Sequence, residues 1–494
     1  MTIDPRTPVL IGSGQFLHRT DTFEGGLEPV ALMCEAIDLA AADAGLAGAP
    51  EPDSIRVVSL LSWRYGNPAH LVAHRLGLEP RELAYTTNGG NSPQSLVNLT
   101  AGEIQRGELD LAILTGGEAW RTRMRYRRAG AEIEWQKAPA DAPPRIVGEE
   151  LTMNHPIETA RSIGAPVQVY PMFETAIRAA AQRGVDDHLV HISELWSRFS
   201  TVAAGNPNAW TRDAMSAEQI RTPSASNRMV GYPYTKYMNS NNDVDMAAAL
   251  IICSAEKAAA LGIPRDRWVF VQAGADCHEH AFVSNRWSFA ETPAIALGGR
   301  RALELADCTI GDVGLVDLYS CFPAAVQLGA QSLGLAIDGQ LTRTGGLSFA
   351  GGPWNNYVMH AIATMMDDLR DQPGERGLVW GNGGFTTKHA FGVYSTQPTD
   401  HGFRHAHPQA EIDAMPRRDV AQPADAAGTA TIEAYTVMHD RDGAPETALA
   451  TCLLADGRRA WGTSTDRLLG TAMCSGEWVG RAVTLDAAGV IRLD

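Results

Sequence analysis

The stretch Val316–Val326, VDLYSCFPAAV, sets a tyrosine and a cysteine at the end of an apolar run and just before a proline. Proline is tolerated at the first helical position, where its missing N–H would be unpaired anyway. Cys321 therefore stands at an expected helix N-terminus, where free backbone N–H groups and the dipole favour a thiolate. A free cysteine is equally a small apolar core residue, and the residues alone leave both readings open. Two further segments share this order of small residues, proline and helix: TTNGGNSPQSLVNL and SFAGGPWNNYVMHAIATMM. The residues before Pro93, Pro323 and Pro353 are thus all expected at helix N-termini, with Ser92 as an N-cap.

A fourth element, GLVWGNGGFTTKHAFGVYS, reads as strand, glycine-rich turn and strand. Gly381, Gly383 and Gly384 either let backbone approach a ligand or serve a tight hairpin. His389 follows as a base or as a packed strand histidine, and Tyr319 as a proton carrier or a core aromatic. RTRMRYRR places five arginines in eight residues. In an extended chain Arg121, Arg123, Arg125 and Arg127 would share a face and could meet phosphates; otherwise they are solvated or paired with carboxylates. His278 and His280, and His401, His405 and His407, lack a third ligand at metal-site spacing, so no metal is assigned.

The elements that must hold these residues follow from periodicity. PVLIGSGQ, SIRVVSLLSW, ELAYTT and LDLAILTGG read as strands around the helix EPVALMCEAIDLAAADAGL, and WVFVQAGA, GLVDLY and GLVW repeat the pattern. Strands alternating with helices imply an α/β chain with a parallel sheet covered on both faces. The expected division is residues 1–120 and 243–398 as two α/β halves, 121–242 as a polar cap or loop insertion, and 399–494 as a separate unit. In that unit HGFRHAHPQAEIDAMPRRDVAQPADAAG reads as linker and first hairpin, and runs broken by DRDG and DGRR read as a small antiparallel barrel.

The 494 residues carry a formal net charge of -16, which argues against nucleic acid and anionic membranes as partners. No stretch matches a signal sequence or a membrane span, and seven cysteines show no CxxC spacing, so the chain reads as a cytoplasmic protein.

These four elements, in this order and with a long insertion between the halves, resemble the thiolase superfamily over about residues 1–395, and most of all the thiolase-like proteins related to sterol-carrier-protein type thiolases. DLYSCF is similar to that subgroup's His-Asp-Cys-Phe motif. The resemblance implies two βαβαβαββ halves layered α/β/α/β/α, a loop domain, and here an added C-terminal barrel, OB-like. It implies an acyl-CoA thioester as substrate or ligand, no tightly bound cofactor, and a monomer or homodimer. It also implies losses: Gly90 stands at the nucleophilic cysteine, Gly352 at the histidine of Gly-His-Pro, Tyr319 at the residue holding the oxyanion water, and Gly383 in the late Cys-x-Gly motif. Without nucleophile and base, ordinary thiolysis and Claisen condensation are not expected. Two possibilities remain. One is altered acyl-transfer or retro-aldol-like chemistry, with Tyr319, Cys321 and His389 moving protons, N–H groups near Gly90 and Gly383 holding a thioester oxygen, and Gly352, Gly384, Arg123 and Arg125 in the binding surface. The other is acyl-CoA binding without catalysis.

Overall fold

Strand segments such as Pro8–Leu17 and Asp245–Ser254 are apolar at nearly every position and are buried on both faces. The computed structural model describes residues 3–422 and 425–492. In chain order its strands begin with β1 (Pro8–Leu17), β2 (Ser54–Val57), β3 (Glu82–Thr86), β4 (Leu111–Ala119) and β5 (Arg145–Val147). A short hairpin follows, β6 (Met229–Gly231) and β7 (Tyr234–Thr235). Next come β8 (Asp245–Ser254), β9 (Val269–His278), β10 (Leu315–Leu318), β11 (Arg376–Gly383), β12 (Lys388–Ser395) and β13 (Arg404–Ala406). The last five are β14 (Gly428–His439), β15 (Pro445–Leu453), β16 (Arg459–Ser464), β17 (Ala482–Leu485) and β18 (Ile491–Arg492).

The large sheet runs β10-β11-β12-β9-β1-β8-β4-β2-β3-β5, with β13 beside β9. It is mixed, where the alternation of strands and helices predicts parallel pairing throughout. β2, β3, β4 and β5 pair in parallel, as do β10 and β11, whereas β8 lies antiparallel between β1 and β4 and β12 antiparallel between β9 and β11. β8 returns to its half directly after the long insertion instead of through a packed crossover helix, which frees it to run antiparallel. By pairing, β8 therefore sits among strands that precede the insertion. Two residue pairs, Val9–Phe270 and Leu10–Val269, join the halves.

Two central helices, Ser92–Gln105 and Tyr357–Asp371, pack on each other and on strands of both halves. The helices Pro29–Asp43 and Pro68–Leu76 cover the outer face of the first half, and Pro293–Leu305 that of the second. This gives the five α/β/α/β/α layers. The buried Arg56 of β2 fixes the first central helix by donating to Thr100 Oγ1 at 2.9 Å and pairing with Glu103.

The C-terminal unit is an antiparallel sheet ordered β16-β15-β14-β17-β18, and a parallel bridge between Thr463 and Val490 brings its last strand back beside β16. The turns at DRDG and DGRR fall where expected. The preceding linker forms no hairpin; it makes strand β13 and the short helix Gln409–Asp413, and Pro423 and Ala424 lie outside the described residues. β13 instead finds the free flank of β9 and pairs with it in parallel.

Docking of this unit rests on a buried guanidinium. Arg459 is fully buried, makes a two-pronged pair with Glu433 at 2.7 Å, and also donates to Ser284 O at 2.7 Å. Trp461 donates to Ser284 Oγ at 2.8 Å, and Arg178 of the insertion reaches Glu477 at 2.8 Å and Tyr435 Oη at 2.9 Å. Removing one member of such a set strands a charge. Arg459→Met should therefore lower unfolding stability by about 3–5 kcal/mol in urea titration, and a loss below about 1 kcal/mol would show that docking does not depend on this pair.

Candidate functional site

The site is assembled where the loop after β3 meets the β11–β12 hairpin. The loop, Asn88–Asn91, is held by Asn355, which accepts from Gly89 N at 3.2 Å and donates to Ser59 O at 2.8 Å. Lys388 donates to Asn88 O from the opposite side. The hairpin turns at Gly384, whose φ of +70° favours glycine. At Gly383 a Cβ would come within 2.5 Å of Asn91 Oδ1 and 3.2 Å of Gly89 Cα, so glycine is required for close approach of main chain to main chain. The hairpin reading of this element holds at Gly384, while the close approach at Gly383 is to the Asn88–Asn91 loop of the protein itself.

Gly90 is buried, and the space its side chain would take is already filled. A Cβ there would clash with the Tyr319 hydroxyl and Asn382 O and lie 2.7 Å from Tyr319 Cζ. Tyr319 itself is buried, its ring set edge-on to Tyr357 at 5.6 Å. Among the described residues no hydrogen bond is made by its hydroxyl, while burial and the neighbouring Cys321 hold the phenol strongly protonated. At Gly352 the corresponding space is bounded by Asn242 Oδ1, 2.9 Å from an ideal Cβ, and by Ser240.

Cys321 does precede a helix, Pro323–Leu333, but the helix end does not activate it. Burial pushes its thiol up to about 12, against hydrogen bonding from Tyr170 and nearby backbone N–H groups. That net rise is worth about 4 kcal/mol, whereas a helix terminus contributes at most about 2 kcal/mol. The Ala324 N–H at this terminus is also occupied: it donates to Tyr234 Oη at 3.0 Å, and Tyr234 donates on to buried Glu174 at 2.5 Å. Tyr170 is a second hub, accepting from Asn382 Nδ2 at 2.9 Å and Thr386 N at 3.1 Å and donating to Gly384 O at 3.0 Å.

His389 is fully buried, and Trp380 donates to its Nδ1 at 3.3 Å. The neutral ring then carries its proton on Nε2, which makes no well-formed hydrogen bond among the described residues, although the Thr386 backbone acts on the ring. Burial, Arg286 and His278 hold it well below the ordinary histidine range. In this arrangement no ring nitrogen has a free lone pair for a base.

Several other candidates sit differently from expectation. Arg121–Arg128 is helical, within Trp120–Ala129, so residues two apart point to opposite sides and share no face. Arg123 donates to Leu61 O at 2.8 Å and lies over Trp120, Arg125 donates to Thr20 O, and Arg121 pairs with Asp243 at 2.7 Å. Local hydrogen bonding to the chain thus satisfies guanidiniums that extended backbone would have offered to phosphates. Pro353 precedes a single 3-10 turn, Trp354–Asn356, before the helix starts at Tyr357. Ser92 is the first helical residue and donates to Thr87 O at 3.1 Å; Asn91 occupies the N-cap position. His405 pairs with Asp276 at 2.8 Å and His401 with Asp307 at 2.9 Å.

Sequence reasoning missed Asn355, Tyr170 and Lys388. Asn355 follows the GGPW motif by one residue, and Lys388 lies four residues beyond the glycine-rich turn; both positions were visible signals. Tyr170 lies in the insertion, with no spacing that ties it to Cys321.

Residues 408–489 match the family model described as the thiolase-like protein type 1 additional C-terminal domain. The fold is similar, at TM-score 0.84 and 33% identity over 100% of both chains, to a monomeric SCP2-thiolase like protein type 1 from Mycobacterium smegmatis. It is also similar, at TM-score 0.58 and 18% identity, to the Ltp2-ChsH2(DUF35) aldolase, covering 79% of this chain and 98% of that one. Among curated proteins, an acetyl-CoA acetyltransferase of Methanothermobacter thermautotrophicus is 26% identical over 216 residues, 38% of this chain and 54% of that protein's length.

The packing at Gly90 generates a direct test. Gly90→Cys alone should cost about 1–3 kcal/mol by overpacking against Tyr319, and adding Tyr319→Ala should recover about 1 kcal/mol or more as a coupling energy. A double-mutant cycle by urea unfolding measures both. Additive losses would mean that Tyr319 does not fill this position.

Proposed function

The chain belongs to the SCP2-thiolase-like proteins of type 1, and from that membership we propose that it binds acyl-CoA thioesters without ever forming a covalent acyl-enzyme. The observation that carries this reading is the Tyr319 phenol standing in the side-chain space of Gly90. A nucleophile cannot be accommodated there, and the surviving thiol, Cys321, has a pKa of about 12. At neutral pH its thiolate fraction is on the order of 10⁻⁵. Coenzyme A thioester is the expected ligand in the absence of a tightly bound cofactor, and the chain acts as a monomer. Its C-terminal sheet, with the order β16-β15-β14-β17-β18 closed through Thr463–Val490, is read as an OB-like barrel.

A second reading is favoured by one feature, the Tyr319 hydroxyl that makes no hydrogen bond among the described residues. A phenol held protonated is a donor, suited to a developing thioester enolate. In a retro-aldol step the β-hydroxyl loses its proton, the C–C bond breaks, and its electron pair enters the enolate, with no bond to the protein. The step needs a base, and Cys321 at about 12 and His389 with Nδ1 engaged by Trp380 supply none at neutral pH. The missing base is the reason that the proposal is binding and not cleavage.

Intact mass after incubation with acetyl-CoA and octanoyl-CoA, alongside calorimetric titration, separates the cases. The expected result is saturable binding with no mass adduct in either wild type or Cys321→Ala. An adduct lost in Cys321→Ala would overturn the non-covalent reading. Release of a carbonyl product from a β-hydroxyacyl-CoA, abolished in Tyr319→Phe, would replace binding by retro-aldol catalysis.

A further inference from the structure

Of the 41 lysine and arginine residues in this chain, four are lysine: Lys137, Lys236, Lys257 and Lys388. The first two are exposed and the third is half-buried, but Lys388 is 6% exposed. It lies on the wall of a cavity of about 320 Å³, near the lower end of the range of about 300–1,000 Å³ typical of small-ligand sites. The cavity lies between the first central helix, the ends of β9 and β12, and the strap that follows β5. Its apolar walls include Leu96, Leu99, Val147 and Leu151.

Register places the ammonium group. Lys388 pairs with His278 across β9 and β12, two residues from Asp276. Asp276 faces the central helix, taking hydrogen bonds from Ser95 and, at 2.7 Å, from Asn98 Nδ2, and it pairs with His405. Residues two apart on a strand share a face, so Lys388 is directed to the same side. Asp276 is fully engaged by these three partners and does not take the lysine. Lys388 instead donates to Asn88 O, next to the Gly89–Gly90 loop. Glu149, in the cavity wall, and Glu150, whose carboxylate accepts from Asn88 N at 3.4 Å, both act electrostatically on it. Burial works the other way and lowers its pKa overall. In a chain that uses arginine almost everywhere else, a buried lysine on a cavity with both apolar and charged walls is set apart by its chemistry, because an amine can become a nucleophile and a guanidinium cannot.

We propose that Lys388 is an imine-forming amine and that its cavity takes a small uncharged aldehyde or ketone with an aliphatic body. The ammonium gives one proton to Glu149, and the free amine attacks the carbonyl carbon. The N–C bond forms as the C=O π pair moves to oxygen, and a proton shift from nitrogen to oxygen gives the carbinolamine. Glu149 returns its proton to the hydroxyl, which leaves as water while the nitrogen lone pair closes the C=N bond. One carbonyl compound and one ammonium thus give one protonated imine and one water, with no oxidant or reductant.

The competing role for Lys388 is a tether for the Asn88 carbonyl, which arginine could also serve. The test is reductive trapping of the full chain with butanal and cyanoborohydride at neutral pH, followed by peptide mapping. Alkylation at Lys388 is expected to be several-fold faster than at exposed Lys137, because burial disfavours the charged ammonium and leaves more free amine. Leu99→Trp, which fills the cavity, should slow the Lys388 adduct and leave the Lys137 adduct unchanged. Lys388→Arg should abolish the adduct and keep the wild-type melting temperature. Alkylation of Lys388 no faster than of Lys137, or a Lys388 adduct indifferent to Leu99→Trp, would overturn the proposal and leave Lys388 a tether.

Discussion

Everything at the centre of this molecule depends on two backbone segments meeting with no side chain between them. The Asn88–Asn91 loop and the Gly381–Gly384 turn approach closely because Gly89, Gly90 and Gly383 offer no Cβ, and Tyr319 then closes the one gap that remains. The arrangement is self-consistent: Gly90 permits the phenol, and the phenol forbids a larger residue at position 90. Close-packed interiors behave in this way, since a volume can be given to one side chain only. Glycine at position 90 and a large aromatic at position 319 are thus two descriptions of one packing choice.

Burial then decides the electrostatics. Cys321, Tyr319 and His389 all sit where charge is disfavoured, and desolvation outweighs the hydrogen bonds and helix ends that act on them. Two N–H groups of this region are taken by tyrosine hydroxyls, Tyr234 at Ala324 and Tyr170 at Thr386, and those of Cys321 and Phe322, which do reach the thiol, do not offset its burial. This part of the fold holds Cys321, Tyr319 and His389 neutral beside a fixed hydrogen-bond network anchored on Glu174. On the far side of the same loop lies a cavity with a lysine on its wall, so the two faces of the Gly89–Gly90 segment differ in character: one is filled and neutral, the other open and polar at Lys388.

The added C-terminal unit is tied into the rest by charge pairs that would be costly if left incomplete. Two polar clusters hold it: Arg459 of the unit with Glu433 and Ser284, and Arg178 of the insertion with Tyr435 and Glu477. The second cluster, together with the single pairing of β14 to β6, couples the barrel to the insertion that lies between the two halves. Such a buried set fixes orientation more than it adds stability.

Sequence by itself determined the strands and helices of both halves, the barrel turns at DRDG and DGRR, and the four motif segments, because hydrophobic period and proline or glycine punctuation are local properties. Glycine at positions 90 and 352 is likewise legible without coordinates. Tertiary structure alone decided that β8 belongs to the first sheet, that the arginine run is a helix, and that the Cys321 thiol is raised instead of lowered. It alone brought Tyr319 over Gly90, Trp380 onto His389, and Lys388 into a cavity. Each of these depends on which residues, far apart in the chain, exclude water from one another, and desolvation has no signature in local sequence.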